Sequence, residues 1–269
     1  MTRLVLAIAM CLAVSARAAE PTPGSPLWAE QADVTEHLGT QLPLDLVFTD
    51  STGHPAQLRQ LFDGIHPVLL VLAYYECPQL CSLVLDGAVA AMTQLDHFGF
   101  QLGPQYRVAT ISFDATEQFA QAARKQAIVV GSLGKPLAAW PFFTGNEANV
   151  QALTDRLGFK FLRDPRTGNI AHAAVVFVLT PTGIISRYLY GTDYAPRDLK
   201  LALLEASDGK TGSVGDKILL RCFHYDAASR RYGLFISRFM KIGGLVILAI
   251  ALGIGRVLWR HEKLREDAT

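Results

Sequence analysis

The sequence is poor in cysteine, carries little net charge and contains no repeat. Its 269 residues include only 4 cysteines, and 25 basic residues are balanced by 24 acidic ones, which gives a formal net charge of +1. No basic stripe or patch appears, so nucleic acid is a poor candidate partner. The lack of an internal repeat argues against a repeat architecture. The length suits one sizeable domain with accessory segments, or two small domains.

Half of the residues are hydrophobic, a high share for a purely soluble protein, and two apolar segments account for it. The first segment is at the start of the chain. Residues 1–19 have the layout of a secretory signal peptide, with Arg3, an apolar run over 4–14 and a small-x-small cleavage site ending at Ala18. An uncleaved anchor is the alternative, but the run is short for a membrane span. Cys11 lies in the run and would leave with it, and it lacks the preceding small residue of a lipoprotein box. We therefore expect the body of the protein to be exported.

The second apolar segment covers residues 242–259 and predicts a transmembrane helix. Its only charge is Arg256, near the end, and as a helix it would span about 27 Å, close to the hydrocarbon core of a bilayer. A buried core helix is the alternative, and the charged flanks on both sides argue against it. With an exported body, a single pass leaves the main domain on the periplasmic side and residues 260–269 as a cytoplasmic tail.

The middle of the chain predicts one α/β domain over residues 41–206, preceded by a flexible leader at 20–40. A juxtamembrane connector is expected at 207–241. Strands alternate with helices and end in a hairpin and a final helix, which favours a three-layer arrangement. Strands are predicted at 44–48, 68–74, 106–113, 141–144, 173–179 and 184–190, and helices from Cys81 to about 98 and at 116–130, 147–157 and 196–206.

Cys77 and Cys81 are placed for accessible sulfur chemistry at a strand-to-helix junction. Residues four apart share a helix face, so the two sulfurs can form a disulfide or bind one metal ion. Pro78 suits the first helical position, and a helix N-terminus favours a thiolate at Cys77. Three residues separate the pair, where a thiol-disulfide exchanger has two. Spacing alone leaves a soft metal site, a redox pair and a plain disulfide open.

Several motifs together resemble the SCO/SenC family of copper proteins of cytochrome c oxidase assembly. The resemblance covers residues 41–206, and its motifs are YECPQLC (75–81), ISFD (111–114), WPFFTG (140–145), the histidine and TPTG that flank the strand at 173–179, and ISRYLYG (185–191). It implies a thioredoxin-like fold and a copper site formed by Cys77, Cys81 and His172.

The resemblance leaves two functions in competition. The first is a copper metallochaperone that passes copper to the copper-bearing subunit of the oxidase or to another copper carrier. The second is a thiol-disulfide oxidoreductase, in which Cys77 and Cys81 form a redox disulfide. His172 discriminates between them, because a metal site needs the imidazole and dithiol exchange does not. No dedicated feature supports a third function as a redox sensor.

Three further positions invite a functional interpretation. Asp114 either orients the site or caps the following helix, and capping is favoured. After Asp114 the family pattern continues with proline and a charged pair, and this chain departs from it at 115–117. Cys222 and His224 could form an auxiliary metal site, but a packed juxtamembrane segment is the favoured interpretation.

The topology prediction can be tested with reporter fusions. A reporter placed after Ala206 should report the exported side, and one placed after Thr269 should report the cytoplasm, because one span separates the two positions. Activity of both fusions in the same compartment would contradict the predicted single pass.

Overall fold

The computed structural model describes residues 32–77, 80–164 and 168–208, and the backbone of two further strands. Its strands are β1 (Val47–Asp50), β2 (Pro55–Gln57), β3 (Val68–Leu72), β4 (Arg107–Ile111), β5 (Phe142–Thr144), β6 (Phe161–Arg163), β7 (Ile170–His172), β8 (Val175–Leu179), β9 (Ile185–Tyr190), β10 (Phe223–Asp226) and β11 (Arg231–Leu234). Its α-helices are α1 (Leu80–His97), α2 (Phe119–Leu133), α3 (Glu147–Arg156) and α4 (Pro196–Ala206).

Several predicted segments lie outside the described residues. These are the signal peptide at 1–19, the transmembrane helix at 242–259, the cytoplasmic tail, Cys222, Pro78, and most of the leader and connector. Within the described ranges, no helix combines the length and the apolar character needed to cross a membrane.

A seven-stranded mixed sheet forms the centre of the domain, with the order β2-β1-β5-β4-β3-β8-β9. β3 pairs parallel with β4, and β4 pairs parallel with β5; the pairs β3–β8 and β8–β9 are antiparallel. All five residues of β3 and of β8 are buried, as expected for apolar strands that are covered on both faces. The predicted α/β order is therefore confirmed.

Helices α1, α2 and α4 cover one face of the sheet. The chain moves in one direction from β3 through β4 to β5, and right-handed crossovers place the two connecting helices on the same face. α1 contacts both α2 and α4, and α4 also contacts β8 and β9. This layer fixes α1, and with it Cys81 in the first helical turn.

Two elements begin later than predicted, and a local hydrogen bond explains each difference. The first strand begins at Val47 instead of residue 44, because the Leu46 N–H is bonded to the Pro43 carbonyl in a turn (3.2 Å). The second helix begins at Phe119 instead of residue 116, where the side chain of Gln121 accepts the Gln118 N–H (2.8 Å). In contrast, the predicted helix at 196–206 matches α4 at both ends.

Gly87 in α1 offers a test of the packing between this helix and the loop after β9. A Cβ atom at Gly87 would lie 2.0 Å from the Thr192 carbonyl oxygen, whereas a Cβ at Gly131 in α2 would meet nothing within 4 Å. Gly87→Ala should therefore lower the free energy of unfolding by about 1–3 kcal/mol through overpacking. The matched control Gly131→Ala should raise it by up to about 1 kcal/mol through helix propensity. Equal effects in a denaturant titration would contradict the close approach.

Candidate metal centre

The two cysteines lie where β3 passes into α1. The Cys81 N–H points at the Cys77 sulfur, 3.3 Å away, so the sulfur accepts one of the free N–H groups of the first helical turn. Both residues are buried, and their sulfurs are not linked to each other. The helix start thus holds one sulfur beside the other in the reduced form.

His172 is brought to the cysteines by a hairpin that the sequence did not predict. It is the last residue of β7, which pairs antiparallel with β6 so that Phe161 lies opposite His172. The nearest predicted strand begins at residue 173, which puts His172 in a predicted loop; this prediction was wrong, because residues 161–163 and 170–172 extend and pair. The ring nitrogen Nε2 of His172 lies 3.2 Å from the Cys81 sulfur.

The hydrogen bond of the other ring nitrogen selects the tautomer of His172. Nδ1 lies 3.0 Å from the Ala173 carbonyl oxygen, which can only accept, so in the neutral ring Nδ1 carries the hydrogen and Nε2 keeps its lone pair. The two sulfurs and one ring nitrogen all lie within 4.8 Å of one another. The structure therefore brings together all three residues that the resemblance selected.

The pKa values of the two thiols are shifted in opposite directions. The pKa of Cys77 is lowered, because the Cys81 thiol donates a hydrogen bond to its sulfur and further polar contacts of that sulfur, the Cys81 N–H among them, add to the effect and together outweigh burial. The pKa of Cys81 is raised by its deeper burial and by the neighbouring Cys77 sulfur. At neutral pH the pair therefore holds one thiolate and one thiol, and a metal ion that binds both sulfurs displaces one proton.

Aromatic rings surround the imidazole of His172. The ring centroids of Phe113, Phe159 and Tyr74 lie 5.0, 6.0 and 6.2 Å from that of the imidazole. The Tyr74 hydroxyl also hydrogen-bonds to the Cys77 sulfur. These ring contacts orient the imidazole. Sequence analysis missed all three residues, because an aromatic residue at a strand end is equally typical of a core position.

Glu117 holds the segment that precedes Cys77. Its carboxylate accepts hydrogen bonds from the N–H groups of Tyr75 (2.7 Å) and Glu76 (2.8 Å) and from the Ser112 hydroxyl (2.6 Å). The Glu117 side chain is buried, and burial outweighs these hydrogen bonds and raises its pKa. Glu117, which belongs to the stretch 115–117 where this chain departs from the family pattern, thus supports the segment that leads to Cys77.

Asp114 does not cap a helix, so the favoured interpretation from the sequence was wrong. The N-cap of α2 is Gln118, while Asp114 accepts the Thr116 N–H (3.0 Å) and pairs with the Arg163 guanidinium (2.6 Å). Burial acts to raise the pKa of Asp114, but Arg163 and Thr116 lower it. Arg163 is in β6, so Asp114 is connected to the hairpin that carries His172.

The chemistry of the donor set fits copper. Two sulfurs and one imidazole are soft or borderline ligands, which copper, notably Cu(I), prefers and zinc tolerates. Calcium and magnesium need oxygen ligands, and none of the three donors is an oxygen. The group is also partly enclosed, since both cysteines are buried and His172 is half-buried.

The raised pKa of Glu117 predicts a pH-dependent contribution to stability. A carboxyl group whose pKa is higher in the folded state stabilises the fold when protonated, and this contribution is lost as pH rises from about 4.3 through the folded pKa. Glu117→Gln removes the charge and can keep all three hydrogen bonds. The difference in free energy of unfolding, variant minus wild type, should therefore increase over this pH range in denaturant titrations. A difference that is independent of pH would contradict the burial argument.

Comparison with known proteins places the chain in a family. The family model described as SCO1/SenC matches residues 37–203. A search of curated proteins gave no match. This chain is similar to two solved structures from Aquifex aeolicus VF5, one described as an electron transfer protein and the other as an electron transport protein.

The first of these structures is 28% identical, with a TM-score of 0.56 over 63% of this chain and 94% of that chain. The second is 26% identical, with a TM-score of 0.53 over 63% of this chain and 98% of that chain. BsSco, 16% identical with a TM-score of 0.51 over 65% of this chain and 98% of its own, shares the fold. The fold is thioredoxin-like, and the chain belongs to the SCO1/SenC family.

Proposed function

We propose that this protein is a membrane-anchored copper metallochaperone that delivers copper to a copper site of cytochrome c oxidase. The observation that carries the proposal is the convergence of the Cys77 and Cys81 sulfurs and the His172 ring nitrogen within 4.8 Å. Membership of the SCO1/SenC family supports copper as the cargo. BsSco is described as a member of the Sco family of cytochrome c oxidase assembly proteins, which supports the oxidase as client.

The exposure of the three donors indicates how copper would be held and released. Cys81 is fully buried and Cys77 nearly so, whereas His172 is half-buried. An incoming ligand of a partner can reach copper most easily on the side of the imidazole. The dithiol would then keep copper bound while the ligand of the partner replaces His172, which avoids release of the ion into water.

The proposed anchoring rests on the sequence. A cleaved signal peptide at 1–19 and a span at 242–259 would hold the domain on the periplasmic side, close to a membrane-bound oxidase.

A second candidate function is thiol-disulfide exchange on an exported partner. It is favoured by the lowered pKa of Cys77, which supplies a thiolate beside the Cys81 thiol. The Cys77 thiolate would attack a partner disulfide and release one partner thiolate. Cys81 would then give its proton to the released partner thiolate and attack the mixed disulfide, which leaves a Cys77–Cys81 disulfide and a partner with two reduced cysteines. BsSco is described as containing a disulfide switch. The His172 lone pair, 3.2 Å from the Cys81 sulfur, can assist removal of the Cys81 proton, but the exchange of disulfide bonds requires only the two sulfurs.

Replacement of the histidine separates the two functions. His172→Ala leaves the dithiol intact and removes one of three copper donors, so we expect Cu(I) affinity to fall about 100-fold or more, which corresponds to roughly 2.7 kcal/mol. The measurement is a competition titration of the reduced full chain in detergent against a Cu(I) chelator. His97→Ala, at the exposed end of α1, is the matched control and should bind like wild type.

Tight Cu(I) binding without His172 would contradict the metallochaperone function. If His172→Ala binds Cu(I) as tightly as wild type, while Cys77→Ala abolishes reduction of a disulfide substrate, the metallochaperone function fails and the oxidoreductase function is favoured.

A further inference from the structure

The hairpin formed by β6 and β7 lies outside the seven-stranded sheet and forms a separate two-stranded sheet. An isolated pair of strands is only marginally stable by itself. The position of His172 therefore depends on the side-chain contacts that dock this hairpin onto the rest of the domain.

Two neighbouring contacts dock the hairpin at the end of β4. The Phe161 ring packs on Phe113, with ring centroids 5.2 Å apart. The Arg163 guanidinium pairs with the Asp114 carboxylate at 2.6 Å. Residues 113 and 114 follow β4, and residues 161 and 163 are the two ends of β6, so both contacts hold the same strand of the hairpin.

We propose that the Asp114–Arg163 ion pair, hereafter the latch, positions His172 over the two cysteines and thereby sets the rate at which copper leaves the site. The proposal deepens the metallochaperone function and rests on it. Asp114 and Arg163 are positioning residues, because neither belongs to the group of donor atoms.

The two sides of the latch differ in rigidity. The Asp114 side chain is 9% exposed and is fixed further by hydrogen bonds from the Thr116 N–H (3.0 Å) and hydroxyl (2.7 Å). The Arg163 side chain is 47% exposed, and its other terminal nitrogen, Nη1, donates a hydrogen bond to the Gly168 carbonyl oxygen at 3.0 Å. Arg163 thus joins the turn of the hairpin to a fixed point on the main body.

The strand register transmits the effect of the latch to the imidazole. Arg163 lies opposite Ile170, and Phe161 lies opposite His172. The ion pair and the histidine are therefore at opposite ends of the same three-residue ladder. Loss of the ion pair leaves the apolar contacts of Phe161, His172 and the buried Ile170 to hold the hairpin. Such contacts fix orientation less strictly than an ion pair, and a small rotation of the hairpin about them moves the imidazole away from the sulfurs.

The latch is expected to act on the departure of copper more than on its capture. The dithiol is held by β3 and α1 and does not depend on the hairpin. A loosened hairpin weakens only the third donor, so an incoming ligand replaces His172 sooner. Stoichiometry should remain unchanged, since both sulfurs still bind.

The test measures Cu(I) transfer from the full chain in detergent to an excess of a chromogenic chelator. Arg163→Gln should speed transfer about tenfold, and Asp114→Asn should do the same while keeping an oxygen for the Thr116 N–H. Arg163→Lys, which keeps the charge, should recover part of the loss. Arg59→Gln is the matched control, because Arg59 pairs with Asp45 at an exposed site, and it should transfer copper like wild type.

A second background separates positioning from general destabilisation. In His172→Ala, adding Arg163→Gln should change the transfer rate no further, because the latch acts through the imidazole. Wild-type transfer by both Arg163→Gln and Asp114→Asn would overturn the proposal, as would an undiminished tenfold effect in the His172→Ala background. Absence of copper binding by the wild-type chain would instead overturn the metallochaperone function itself.

Discussion

The approach of the His172 nitrogen to the Cys81 sulfur, at 3.2 Å across 91 residues of sequence, is the contact on which the site depends. The cysteines are fixed by a strand and a helix of the main domain. The histidine arrives on a separate hairpin. The residues that follow β4 connect the two, since Glu117 holds the segment before Cys77 and Asp114 holds the hairpin. One short stretch of chain therefore organises both halves of the metal site.

Burial gives the two cysteines different roles although they are only four residues apart. Cys81 is enclosed by α1 and keeps its proton, and that proton stabilises the thiolate of Cys77. The sulfur of Cys77 also accepts a backbone N–H at the helix start, as expected for an anion at a helix N-terminus. The reduced pair is thus stabilised as a single negative charge, which suits both capture of a soft cation and attack on a disulfide.

Much of the fold could be predicted from the sequence, because β3, β8 and α4 carry patterns that local rules determine. The three donors could be identified only through motif resemblance, since spacing alone left metal, redox pair and disulfide open. The β6–β7 hairpin was missed because β6 (FLR) and β7 (IAH) each contain a single β-favouring residue, whereas the equally short β5 (FFT) contains three and was predicted. Glu117 and Arg163 were missed for a related reason: their partners are distant in sequence, and only tertiary packing makes a buried carboxylate or a half-exposed arginine part of the site.

The unequal support of the three donors bears on which function the site serves. A metal ion that is passed to a partner by ligand exchange leaves more readily if one of its ligands can detach before the others. The sulfurs here are attached to the main domain, and the imidazole is attached to a separate hairpin docked by aromatic contacts and the Asp114–Arg163 ion pair. Regions with few stabilising contacts open at lower free energy than the core. Thiol-disulfide exchange requires only the two sulfurs, whereas a three-donor copper site requires the imidazole as well, so a docked hairpin that aims an imidazole lone pair at the sulfurs favours the proposed copper site.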